Sequence, residues 1–540
     1  MVSWNGLTTL APLALAASCV AASFLPPRPS MEVITADDVF SVNDFAGATL
    51  PPLNTTYYFD QLIDHNNPRL GTWKQRYWHT WEFYKPGGPI IITTPGEADN
   101  APDFTGYLTN KSINGQIAQQ EGGATIVLEH RYYGEAQPLG DLSVKNLRFN
   151  TIEQAIGDLE YFAKNVKLAM PGGSKVQPGK APWVLVGGSY AGALTAWTMV
   201  AKPGLFAAGY ASSAVVEAIT DFWRYFEPIR EHMPKNCSAD VQAVINHFDT
   251  VVASGNQKAI AALKANFGME GAKYIDDVAS WLKSPIYAWQ DLGPRTGAHS
   301  DFYNFCDTLE VKNGVSASAK GWGLDHALKA WGDWMKGTLK DACGGDTIDD
   351  CVSTHNGNLP WLTDTTAPNA GRSWNYMVCN EVGYLQNSAP AHYPSLVSRI
   401  LHSEYDERVC RLMFPGKFPL WGPDIEAKVA KTNAIYHGWN VHVDHLFFAN
   451  GDRDPWRDAT VSAKGLNIRS TPQQRIMLSQ GFHCTDMSTA NAAADTTGTI
   501  RAVQIQALAD MNRWLKEYRR QHGIHIQGVS DVEAEGEEVA

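Results

Sequence analysis

Long apolar runs are nearly missing from this chain of 540 residues. Beyond residues 7–22 no segment approaches the roughly 20 apolar positions that a bilayer crossing needs, so the bulk of the chain is expected to be soluble, with no membrane partner. Basic charge is also scarce. Lys and Arg number 44 against 56 Asp and Glu, a net charge of −12, and no basic block interrupts that balance, which excludes nucleic acid as an expected partner. Charged residues make up only 19% against 44% hydrophobic, too apolar for a disordered chain and long enough for more than one ordinary domain. Cysteine is absent from residues 23–236.

Of the eight cysteines, Cys19 lies in the N-terminal apolar stretch. Six more fall between Cys237 and Cys410, and Cys484 stands apart. Removing Cys19 with a leader leaves an odd number and hence at least one free thiol. Spacing alone leaves the connectivity open. Sequential pairing (Cys237–Cys306, Cys343–Cys351, Cys379–Cys410) closes short loops and leaves Cys484 unpaired. That clustering suits a disulfide-stapled region inserted into a disulfide-free core.

Leu7 to Ala22 is apolar and rich in small residues, and Cys19-Val20-Ala21-Ala22-Ser23 has the form of a signal-peptidase site, although no Lys or Arg precedes it. Three N-x-[ST] sequons, at Asn54, Asn110 and Asn236, agree with export and glycosylation. The expected location is extracellular, with a vacuole or lysosome as the alternative.

The chain is organised around Trp183-Val-Leu-Val-Gly-Gly-Ser-Tyr-Ala-Gly-Ala-Leu194. Trp183 to Val186 reads as a buried strand and Tyr190 to Val200 as a helix stopped at Pro203-Gly204. Ser189 sits on the turn between them, with Gly187, Gly188, Ala191 and Gly192 as the small neighbours that such a turn demands. This is the pattern of a nucleophile elbow, missed by one methyl group at Ala191. The alternative is a Gly-rich junction with an incidental serine.

Strand and helix signals alternate around the elbow. Phe59 to Trp81 holds an antiparallel strand, and Pro89 to Thr94 and Ala124 to Glu129 read as buried strands. Asn150 with Glu153 reads as a capping box opening a helix to about Met170, and a further strand lies near Phe206 to Ala211. Residues 215–430 change character to amphipathic helices such as Ala239 to Val252 and Gln257 to Phe267. Strands resume at His445 to Ala449 and Gln474 to Leu478, before a helix from Thr499 to Arg520. The expected fold is an α/β-hydrolase core, a mostly parallel sheet with helices on both faces, carrying a large helical, disulfide-stapled cap. The expected division is signal peptide 1–22, flexible lead-in 23–50, core 51–214, cap 215–430, core 431–525 and an acidic disordered tail 526–540.

Loops following the two late strands carry the partners that a nucleophilic serine needs. Asn450-Gly-Asp-Arg-Asp-Pro-Trp456 follows one and Ser479-Gln-Gly-Phe-His483 the other, in the order Ser, Asp, His expected for this fold. Asp454 would orient His483, and His483 would accept the proton of Ser189. Asp452 is the rival acid, better explained as a turn former. His437, His442, Asp444 and His445 match no standard metal spacing, so no metal is expected.

Gly187-Gly-Ser-Tyr-Ala-Gly192, Glu129-His-Arg-Tyr-Tyr-Gly134, Asp454-Pro-Trp456 and Gly481-Phe-His483, in this order, resemble the proline-specific serine peptidases, the family of lysosomal Pro-X carboxypeptidase and dipeptidyl peptidase II. The likeness runs from Tyr57 to Tyr518, takes in Asp221-Phe-Trp223 and Pro455-Trp-Arg-Asp458, and is strongest towards the secreted acid prolyl endopeptidase type of Aspergillus. The resemblance implies a capped hydrolase without cofactor that cleaves peptides or proteins after proline in acid, with Ser189, Asp454 and His483 as triad. It further implies an oxyanion hole from the Tyr190 N–H and the Gly96-Glu97 loop. Alternatives are exopeptidase action within the family, a secreted esterase or lipase, and an inactive binding protein on the same scaffold.

A prolyl ring has no N–H and a rigid apolar body, so aromatic walls can select it. Trp456 is the best-placed wall by sequence, followed by Trp374, Met377 and Tyr384, for which core packing is an equal explanation. Action in acid needs either a surround that lowers the His483 pKa or a carboxyl that must be protonated near the substrate. Glu97 is the candidate for the second.

Overall fold

A computed structural model describes residues 27–36, 42–418 and 424–527. The signal-peptide reading and nearly all of the acidic-tail reading lie outside these residues. Eight strands form one sheet: β1 (Tyr57–Leu62), β2 (Thr72–Thr80), β3 (Ile90–Thr93), β4 (Ala124–Leu128), β5 (Trp183–Gly188), β6 (Ala208–Ser212), β7 (Leu446–Gly451) and β8 (Gln474–Ser479). Their spatial order is β1-β2-β4-β3-β5-β6-β7-β8. Only β2 runs against its neighbours; the rest are parallel. Strands β3 to β7 are buried throughout, which is why they read as unbroken apolar runs rather than as alternation.

The helix Ile152–Asn165 packs beside the elbow helix Tyr190–Ala201. Its start corrects the capping-box reading. Thr151 is the N-cap, its side chain accepting from Gln154 N–H, while Asn150 Nδ2 donates to Ser373 O at 2.8 Å. The helix also stops at Asn165, short of Met170. Glu129 to Gly134 is a structural knot. Arg131, fully buried, forks onto both oxygens of Asp158 at 2.6 and 2.5 Å, and Glu129 holds Arg76 at 2.9 Å. A buried guanidinium needs such pairing, and the bidentate geometry fixes the loop after β4 to the helix beneath it.

Between β6 and β7 the chain is mainly helical, including Lys235–Ala253, Gln257–Asn266, Leu324–Cys343, Ala370–Met377 and Ser403–Met413. Disulfides Cys237–Cys306, Cys343–Cys351 and Cys379–Cys410 all lie within this insertion. Asn54 and Asn110 are exposed, and Asn236 is half-buried with its amide 3.3 Å from Ser316 Oγ. Among the described residues no helix is long and apolar enough to cross a membrane.

Residues 27–36 depart from the flexible lead-in expected for 23–50. Pro29, Met31 and Ile34 are buried and the backbone is hydrogen-bonded to the sheet's C-terminal edge. A Pro-rich stretch without periodicity carries the same sequence signature whether it is loose or docked.

Candidate active site

Ser189 adopts φ 63° and ψ −125°, a strained region for a residue with a side chain, held by the turn from β5 into the helix Tyr190–Ala201. The small neighbours are obligatory. A Cβ on Gly187 would fall 2.0 Å from Ala191 O, and one on Gly192 would fall 2.6 Å from Ser212 O. The methyl of Ala191 is accommodated, fully buried beside Gly96.

Two loops bring the partners in. Asp452 N–H donates to Ser479 O at 2.8 Å and Arg453 N–H to Gly481 O at 3.0 Å, lacing the loop after β7 to the loop after β8. His483 Nε2 then lies 2.6 Å from Ser189 Oγ, and His483 Nδ1 lies 2.9 Å from Asp454 Oδ1. Trp456 N–H also donates to Asp454 Oδ1, at 2.8 Å, fixing the carboxylate. Asp452 is otherwise engaged, with Arg457 Nη1 at 2.6 Å. Ser189 and Asp454 are 0% exposed and His483 6%.

Burial disfavours the charged imidazole of His483, but the Asp454 carboxylate bonded to Nδ1 outweighs it and pushes the pKa well above its ordinary value. This corrects one route to acid activity: the surround does not lower the His483 pKa. Glu97 is the other route. Its side chain is 1% exposed, and burial raises the carboxyl to about 8 against the opposing pull of its own N–H, Arg28 and His483. It is therefore neutral below that pH.

Of the expected oxyanion donors, Tyr190 N–H donates to Pro29 O at 3.1 Å and Gly96 N–H to Thr94 Oγ1 at 3.3 Å. Gly96 abuts the elbow, a Cβ there lying 3.5 Å from Ala191 Cβ.

Three of the four residues expected to wall a proline pocket share one aromatic network. Trp456 and Tyr384 rings are 5.4 Å apart, Tyr384 and Trp374 6.3 Å, Trp374 and Tyr190 5.4 Å, and Trp456 and His483 6.4 Å. Met377 instead receives the Tyr133 hydroxyl at 4.0 Å. The sequence reading missed Phe222 and Tyr225, whose rings lie 5.6 and 5.2 Å from Trp456. It also missed Gln290, whose amide takes Trp456 Nε1–H at 2.6 Å and donates to Arg28 O at 2.8 Å. The resemblance had marked Asp221-Phe-Trp223, the one available signal for Phe222.

Cys484 is free and buried, and burial raises its thiol pKa. A buried thiol held neutral is a poor nucleophile. Thiol labelling followed by peptide mapping is expected to modify Cys484 only after unfolding; modification in the native protein would contradict this placement. As for metals, His445 Nδ1 faces Ala207 O at 3.2 Å and its ring stacks on Trp514. Asp276, Asp277 and His355 do converge, but Arg408 Nη2 at 2.7 Å from Asp276 makes that cluster an ion pair.

A serine, an imidazole and a carboxylate joined in this sequence at a helix start, with a cluster of buried aromatic rings alongside, can carry out acyl transfer. The family model for serine carboxypeptidase S28 matches residues 61–504. A serine protease of Bipolaris victoriae (strain FI3), vicPa, is 34% identical over 85% of this chain and 88% of its own length. The human thymus-specific serine protease is 26% identical over 87% of this chain and 88% of its own. Among solved structures, a proline iminopeptidase of Mycobacterium smegmatis aligns over 82% of this chain and 96% of its own, at 11% identity and a TM-score of 0.32, too loose a likeness to argue from. The matches to the family model and to the Bipolaris protease agree with the site, and the chain belongs to the serine carboxypeptidase S28 family, as a serine hydrolase of the peptidase type.

Proposed function

We propose that this enzyme hydrolyses the bond on the carboxyl side of proline through an acyl-enzyme on Ser189, and that it does so as an exopeptidase acting at a free C-terminus. The observation that carries the chemistry is the continuous chain Asp454–His483–Ser189 at 2.9 and 2.6 Å. Ser189 Oγ attacks the carbonyl carbon while His483 Nε2 takes its proton. Asp454 holds the Nδ1–H and stabilises the resulting imidazolium. The Tyr190 N–H meets the oxyanion, an interaction typically worth about 3–4 kcal/mol. His483 then passes the proton to the departing amine, and water repeats the sequence on the ester.

Selection of proline is supported by the aromatic enclosure of Trp456, Tyr384 and Trp374 beside His483. Action at a C-terminus is supported by the description of the family. Endopeptidase action, in the manner of the Aspergillus type, is the second reading. It is favoured by the path of residues 27–36, which meet the elbow at Pro29 and Met31 and continue away from it in both directions. Export, to the medium or a vacuole, and glycosylation at Asn54, Asn110 and Asn236 belong to the same proposal.

Peptides ending Pro-Phe, with free or amidated carboxyl ends, separate these readings. Cleavage after proline of the free acids but not of the amides is expected. Equal cleavage of both would establish the endopeptidase reading, and turnover of esters alone would overturn peptidase action on proline.

Glu97 sets the alkaline side of the profile. Ionised, it would place a negative charge on the loop beside the oxyanion site, facing His483 and Arg28. Glu97→Gln, permanently neutral, is expected to keep activity and to move the alkaline limb of kcat/KM above its wild-type position. A limb that does not move removes Glu97 from the mechanism.

A further inference from the structure

The segment 27–36 has no regular secondary structure, yet it is fastened at five of its residues, and at Pro29 and Met31 directly to the neighbours of Ser189. Gln290 Nε2 donates to Arg28 O at 2.8 Å, and Arg28 Nη1 donates to Glu97 O at 3.1 Å. Tyr107 OH donates to Glu32 O at 2.9 Å, and Gly106 N–H donates to Ile34 O at 2.8 Å. Two contacts straddle the nucleophile itself. Gly188 N–H points to Met31 Sδ at 3.2 Å, and Tyr190 N–H donates to Pro29 O at 3.1 Å.

The second of these decides what the segment is. Tyr190 N–H is the donor that an acyl-transfer transition state would use, and here it is held by a main-chain carbonyl. That carbonyl belongs to a proline. Ser189 keeps its hydrogen bond to His483, so the site is assembled but covered, and Ser189 is 0% exposed. Met31 adds an anchor, packing with Cys484 and Met487 over Gly188. Glu32 adds another through Asn491 Nδ2 at 2.6 Å.

We propose that residues 27–36 are a substrate mimic built into the chain, with Pro29 in the acyl position, and that the enzyme is latent while this segment is seated. The inference rests on the peptidase reading above and deepens it, since Pro29 marks the subsite of the residue whose carbonyl is attacked. A tethered occupant competes at an effective concentration set by its short connection, which an external peptide must exceed. Access to the site is scaled by the fraction of time the segment is away.

The test uses the full chain, with intact mass identifying the form that carries residues 27–36. Met31→Asp puts an unpaired carboxylate into the sulfur-lined spot over Gly188 and changes no residue of the reacting centre. Its Ser189 is expected to react with a fluorophosphonate about tenfold or more faster than that of the segment-bearing parent, with peptide turnover rising in step. Equal rates would overturn the proposal. Independently of folding effects in the variant, a blocked synthetic peptide of residues 27–36 is expected to inhibit Met31→Asp competitively. A Pro29→Gly version of that peptide should be weaker. No inhibition by the native peptide would also overturn the proposal. A Met31→Asp enzyme that labels at Ser189 yet cleaves no proline peptide would count against the peptidase reading instead.

Discussion

Ser189→Ala is expected to fold and accumulate like the parent and to lose peptide hydrolysis by roughly 10⁴–10⁶-fold, the scale seen when a member of a serine triad is removed. The reason for the size is that Ser189 Oγ is the atom whose hydrogen bond to His483 Nε2 readies it to form the covalent bond to the acyl group. It sits 2.6 Å from its base, and among the described residues no other hydroxyl is bonded to His483 Nε2. The reason for the intact fold is equally local. Alanine can occupy the same φ 63° backbone at a cost like that of serine, because the turn is enforced by Gly187, Gly188 and Gly192 rather than by the hydroxyl. What activity remains should come from the proposed oxyanion donor, the Tyr190 N–H, and the proposed proline pocket, which the substitution leaves in place. Circular dichroism and thermal unfolding that match the parent, with kcat lost, is the predicted combination. A variant within tenfold of the parent would remove Ser189 from the chemistry.

The second large effect concerns stability and pH. Burial raises Glu97 and Glu310 to about 8, Glu32 and Glu381 to about 7, and Asp486 to about 6. In the unfolded chain these carboxyls titrate near their ordinary values of 4.5 and 3.8. Above those values the unfolded chain has released protons that the folded chain still holds, so stability falls as pH rises. It is fully present in acid and is lost progressively until pH passes 6 to 8. Each such proton costs up to about 1.4 kcal/mol per pH unit over its window. The raised His483 pKa acts in the same direction, its contribution present below 6.5 and lost as pH rises through the folded value. His79 and His130 oppose it: burial lowers both to about 4, so they cost stability as pH falls from 6.5. Carboxyls raised by burial outnumber imidazoles lowered by it, His232 and His326 included, which leaves a net loss above pH 5, and from 6.5 upward the imidazoles no longer offset it. The unfolding midpoint is expected to be highest near pH 5 and lower by roughly 5–10 °C at pH 8. A midpoint that is flat or that rises towards pH 8 would contradict the assignment of these carboxyls as buried and protonated.

Much of the framework was legible because burial writes itself into apolar runs. Ile90–Thr93, Trp183–Gly188 and Leu446–Gly451 are buried on both faces, so composition alone marked them as central strands. The elbow was legible for a steric reason, since a turn that admits no Cβ at Gly187 or Gly192 must be spelled in glycine. His483 was reached through the position of its loop after β8, and Asp454 over Asp452 through the preference of the latter for a turn. Other parts left no such trace. The capping role of Thr151 was hidden beside an equally plausible Asn150. Gln290 is one glutamine in a long helical region, and only the fold brings it between Trp456 and Arg28. The docking of Pro29 and Met31 depends on pairings with residues about 160 positions away, such as Met31 with Gly188, and local sequence cannot report a partner at that distance.

The central claim is that one serine, activated by one histidine, carries the acyl group. Reaction with a fluorophosphonate to completion, followed by peptide mapping, tests it most directly. The account predicts a single adduct on Ser189, loss of peptidase activity in proportion to its formation, and no adduct in His483→Ala. An adduct on another serine, or full peptidase activity with Ser189 modified, would contradict it.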